Sequence, residues 1–63
     1  MSPIERAQQH HAAIRANVDT WYAGRIDFAE FGRRATALHD AARADGPDVD
    51  AALVELLVAD LPS

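Results

Sequence analysis

The stretch Gly24-Arg25-Ile26-Asp27-Phe28-Ala29-Glu30-Phe31 decides the fold of this chain. Glycine takes the left-handed backbone conformation without steric cost, so Gly24 is placed to close one helix. Asp27 and Glu30 then have capping-box spacing, and Ile26 and Phe31 occupy the two positions of a hydrophobic staple, which opens the next helix at Phe28. The stretch reads as the turn of a helical hairpin.

On its N-terminal side, Ile4, Ala7, His11, Ile14, Val18 and Trp21 recur at intervals of three and four, the spacing of one helical stripe. Ser2 can cap this helix, Pro3 suits its first position, and Glu5 can reach back to the Ser2 amide, so helix one is expected over residues 3–23. On the C-terminal side the stripe is Phe28, Phe31, Ala35, Leu38 and Ala42, and Ala44-Asp45-Gly46-Pro47 supplies a stop. Helix two is expected over 28–44. Gly32 inside it costs about 1 kcal/mol relative to alanine, and close packing against helix one is the expected reason for it. Asp48 and Asp50 favour the positive end of a third helix over 48–60, closed by Leu61-Pro62-Ser63. Val49, Leu53, Val54, Leu56, Leu57, Val58 and Leu61 make that helix apolar around most of its circumference.

The expected fold is therefore all-α: one domain, residues 1–63, of three helices built on an antiparallel hairpin. A hairpin turning near residue 25 places Trp21 near Phe28, Val18 near Phe31, and His11 near Leu38 and His39. At 63 residues such a domain buries only about 60% of its unfolded surface. It has no cysteine to supply a disulfide or a thiolate metal site, so oligomerisation or docking on a partner is the expected source of further burial. No apolar stretch approaches the roughly 18 residues of a membrane span, and no charged start with an apolar run opens the chain. A cytoplasmic protein without a membrane partner is the resulting expectation.

The net charge of −4 is unevenly placed. Arg6, Arg15, Arg25, Arg33 and Arg34 precede residue 35, whereas Asp40, Asp45, Asp48, Asp50, Glu55 and Asp60 follow it, opposed only by Arg43. Phosphate binding gains affinity with each counterion released, so an acidic balance argues against general nucleic-acid binding. That every cation is arginine, beside much alanine and aspartate, suggests a GC-rich bacterial or phage genome.

The run Gly24-x-Ile26-Asp27-x-x-Glu30-Phe31, followed by Arg34 and Leu38, resembles the short bacterial helical module called SHOCT, which has Gly-x-Ile-Thr-x-Glu-Glu-Phe followed by a basic residue and leucine. The likeness spans residues 18–39, with Asp27 in place of the threonine and Val18 and Trp21 offset by a residue from the usual leucines. It implies a small interaction or oligomerisation element without catalytic residues.

Three groups of residues are candidates for function. His10 and His11 converge with His39 if the hairpin forms as drawn, and such a grouping would bind a divalent metal or respond to pH; no two of them have the i,i+4 spacing of a helical metal clamp. Arg25, Arg33 and Arg34 lie near the hairpin tip, where guanidinium forks can meet phosphate or acidic protein surface, or pair locally with Glu30. Tyr22, which falls off the helix-one stripe, and Val54, Leu57, Val58 and Leu61 on helix three are the apolar partner-binding candidates. No glycine-rich phosphate loop or nucleophile grouping is present, the carboxylates sit mainly at caps, and no cofactor is expected. The expected function is thus a non-enzymatic protein–protein interaction module that binds another protein, itself, or both. An accessory or regulatory subunit fits, including a phage or mobile-element inhibitor of a larger host machine. The alternatives are a nucleic-acid-binding regulator using the three arginines and a histidine-dependent metal or pH switch.

Overall fold

The computed structural model describes residues 1–62, which form three helices and no strand: α1 (Pro3–Tyr22), α2 (Phe28–Ala44) and α3 (Pro47–Ala59). Ser63, expected to follow the third helix, lies outside the described residues.

Local chemistry explains each helix end. The Glu5 amide donates to Ser2 Oγ, and the Glu5 carboxylate accepts from the Ser2 hydroxyl rather than from its backbone amide. Ala23 caps α1, one residue earlier than expected, and Gly24 follows at φ +76°. Gly24 N–H then donates to Trp21 O and Arg25 N–H to Thr20 O, the two bonds of a Schellman motif. Asp27 accepts from the Glu30 amide at 2.8 Å, so that half of the expected capping box forms. Glu30 does not complete the box, because its carboxylate is held by Arg33 and Arg34. Between α2 and α3 only Asp45 and Gly46 intervene; Gly46 at φ +121° makes the reversal and Pro47 starts α3 one residue earlier than expected.

The fully buried apolar core, among the described residues, is Ala7 of α1, Ala42 of α2, and Val49 and Leu53 of α3. Ile14, Ala52, Leu56 and Leu57 pack around it. Alanine at two of the four places lets the helices meet closely, but it leaves little apolar volume enclosed. The molecule is correspondingly open. Its extents are 34 × 29 × 16 Å, the last less than two helix diameters. Its radius of gyration is 12.0 Å, where a domain of this length has about 10.6 Å. The accessible surface is 4488 Å², against about 3950 Å² for a folded monomer of this mass.

α1 packs more extensively on α3 than on α2; of the expected pairings, Trp21 does lie beside Phe28, with ring centroids 5.5 Å apart. Val18 lines the α1–α3 groove with Ile14 and Leu57. Phe31 is met by Trp21 and by Asn17, whose Nδ2 donates to Phe31 O at 3.3 Å while its Oδ1 is buried without a partner. His11 pairs with Asp60 of the α3 end. The physical reason is that α3, the most apolar helix, takes the larger side of the α1 stripe, leaving Ala13, Ala16, Asn17 and Thr20 along the groove with α2. Ile4, assigned to the stripe, is exposed.

Gly32 is also not a close-packing site, since a Cβ built there meets nothing within 4 Å. Gly32→Ala is expected to stabilise the protein by about 0.5–1 kcal/mol and raise its melting temperature by about 4–8 °C per kcal/mol. Leu53→Ala, at the fully buried position, is expected to cost about 2–5 kcal/mol. Thermal melts followed by circular dichroism check both.

Candidate interaction surface

The turn brings all four aromatic residues of the chain together. Tyr22 is the last residue of α1 and Phe28 the first of α2, so the intervening Schellman turn sets them on either side of Trp21. Ring centroids lie 5.2 Å apart for Trp21–Tyr22, 5.5 Å for Trp21–Phe28 and 4.7 Å for the stacked Trp21–Phe31 pair. Trp21 and Phe31 are half-buried, whereas Tyr22 is 78% and Phe28 68% exposed. Neither Trp21 nor either phenylalanine enters the fully buried core. Phe28, assigned to the inner stripe of helix two, is at the first helical position, where no preceding turn covers it.

The arginines separate into two kinds. Arg33 Nη2 reaches Glu30 Oε1 at 2.8 Å and Arg34 Nε reaches Glu30 Oε2 at 3.2 Å. Hydrogen bonds from the two guanidiniums, with their charge, hold the Glu30 carboxyl below its ordinary range, and the Glu30 hydrogen bond raises Arg33 in turn. Arg25 sits exposed in the turn and enters no ion pair among the described residues. Arg33 and Arg34 thus share one carboxylate, to which Arg25 is not tied.

On α3, Val54 and Val58 lie one turn apart and are 51% and 58% exposed, and Leu61, two residues past the helix end, is 67% exposed. Leu57 does not belong with them: this side chain packs against the core and lines the α1–α3 groove. A second groove, of about 410 Å³, runs between α1 and α2, lined by Ala13, Ala16, Ala37 and Leu38 with Asn17, Thr20 and Arg34. Of its polar groups, Thr20 donates to Ala16 O, Arg34 is held by Glu30 and Asn17 Nδ2 donates to Phe31 O, which leaves the buried Asn17 Oδ1 without a partner.

The histidines take places that no local spacing foretold. His10 Nε2 lies 2.6 Å from Asp45 Oδ2, and His11 Nε2 lies 2.6 Å from Asp60 Oδ2, with Arg15 Nη1 at 3.1 Å from Asp60 Oδ1. Asp45 and Asp60 are the C-caps of α2 and α3. A carboxylate there faces the negative end of a helix dipole, so a donor or cation opposite it relieves an unfavourable position. Two consecutive residues of α1 thus fasten the ends of both other helices. The grouping with His39 is replaced by these two separate pairs, and no set of three or more histidine and carboxylate groups suited to a metal converges among the described residues.

The Asp60 carboxyl is held below its ordinary range, first by the His11 hydrogen bond and further by the charges of His11 and Arg15. A depressed folded-state value means that its contribution to stability is present above the unfolded value and is lost as pH falls through the folded one. The melting temperature should therefore decline below about pH 4, and Asp60→Asn should make that decline shallower in an acid titration of the melt.

Comparison with protein-family models, with curated proteins and with solved structures finds no match for the chain.

Proposed function

We propose that this chain is a non-enzymatic protein-interaction module, an accessory or regulatory subunit in which α1 and α2 form an antiparallel hairpin whose tip contacts a partner. The observation that carries this reading is the placement of the aromatics. A small domain short of core would gain most by burying its largest rings, yet Tyr22 and Phe28 remain in water while alanine fills half of the core positions. Covering each ring is worth on the order of 2–3 kcal/mol, so the tip holds substantial unused apolar burial. Aromatic residues beside a free arginine, here Arg25, also match the composition of residues that dominate interface energies. The surplus accessible surface and the resemblance of residues 18–39 to the SHOCT module support the same reading. The engagement of Arg33 and Arg34 by Glu30 disfavours a phosphate partner, and the separation of the histidines into two aspartate pairs disfavours a metal switch.

Homo-oligomerisation is the second means of covering the tip. Sedimentation velocity across about 1–100 µM should show either a concentration-dependent dimer, or a monomer that captures another protein from the source cells. The double variant Tyr22→Ser with Phe28→Ser, at exposed positions and so still folded, should lose whichever association the parent shows. A variant that keeps it unchanged overturns the assignment of the tip.

A further inference from the structure

The exposed stripe of α3 is a second apolar surface, and its charged surroundings select what covers it. We infer that the Val54–Val58–Leu61 stripe docks an amphipathic helix of another protein whose apolar row is edged by lysine or arginine. The inference rests on the reading of the chain as a protein-interaction module, and it names the chemistry of a partner at a site distinct from the aromatic tip.

Carboxylates border this stripe without any cation of their own element. Asp50 lies one turn ahead of Val54, Glu55 lies three residues ahead of Val58, and Asp48 lies seven residues ahead of Glu55, continuing the same edge. None of the three enters an ion pair among the described residues, whereas Asp60 is occupied by His11 and Arg15. α3 carries no lysine or arginine, and its C-terminal end, beside Leu61, adds the negative pole of the helix dipole.

Three occupants suit an apolar helical stripe, and charge separates them. A membrane surface is reached by amphipathic helices that carry lysine and arginine on the polar face, and anionic lipid would repel this one. A second copy packing α3 on α3 would set carboxylate edges against each other. Arg15, Arg33, Arg34 and Arg43 are paired within the chain, and the two arginines without an ion pair among the described residues, Arg6 and Arg25, lie on α1 and in the turn rather than on α3. A partner helix with a basic edge meets the apolar row and the carboxylates together. Val54 and Val58 are separated by one turn, about 6 Å, and Leu61 extends the apolar surface just past the helix end, enough to engage an apolar row of the partner at helical spacing.

The test uses the full chain and two designed helical peptides that share one leucine row, with edges all lysine in one and all glutamate in the other. The lysine peptide should bind, shift the amide resonances of residues 54–61, and weaken as salt is raised. The glutamate peptide should bind at least about tenfold more weakly. Asp48→Asn with Glu55→Gln should narrow that difference, and Val54→Ser with Val58→Ser should remove binding of the lysine peptide. The inference is overturned by equal binding of the two peptides, by no binding of the lysine peptide, or by resonance shifts confined to other helices. Binding to vesicles containing phosphatidylglycerol, or a dimer that protects Val54 and Val58, would overturn it in favour of the other occupants. If the lysine peptide fails while Tyr22→Ser with Phe28→Ser still abolishes association, the interaction reading stands and only the assignment of α3 falls.

Discussion

Ala7, Ala42, Val49 and Leu53 meet where all three helices contribute to the sealed interior found among the described residues, and the rest of the molecule follows from how small that junction is. Short side chains on α1 and α2 admit Leu53 of α3 to full burial. They also limit how much apolar surface is removed from water, in a chain with no cysteine to compensate. Polar ties assist: the buried Asn17 joins α1 to the Phe31 carbonyl, and at the periphery His10 and His11 hold the ends of α2 and α3. The aromatic rings, which a larger domain would place at such a junction, stand at one end instead.

The helix boundaries were legible in the sequence because the forces that set them act within a few residues. Ser2, Gly24, Asp27 and the Gly46-Pro47 pair each do their work on the adjacent turn, and the structure departs from the expected limits by a single residue. The orientation of α1 was not legible. Its stripe serves two neighbours, and periodicity alone does not say which side faces which; that depends on the greater apolar demand of α3. Val18 accordingly lines the groove with Leu57, and His11 pairs with Asp60.

For the candidate site the same division holds. Tyr22 falls off its stripe and is exposed, and the outward row of Val54, Val58 and Leu61 follows from a helix apolar on too many sides. Leu57 shows the limit, since composition does not tell which apolar face the core will take. The two histidine–aspartate pairs join residues 35 and 49 positions apart, beyond the reach of any spacing rule. A carboxylate at each helix C-cap was the one available signal, because its unfavourable place in the helix dipole calls for a counterpart somewhere in the fold.

The flattened shape, 16 Å in its shortest extent, carries a consequence for the lifetime of the protein. A thin body keeps much of its backbone within reach of solvent and local opening, so the uncovered chain is exposed to proteolysis through its brief excursions from the native state. Any partner that binds only the folded form suppresses those excursions. At a hundredfold excess over Kd it adds about 2.7 kcal/mol, a change of about a hundredfold in the open population. On the interaction reading proposed above, chain left without a partner would be degraded faster than bound chain, which would tie its abundance to occupancy.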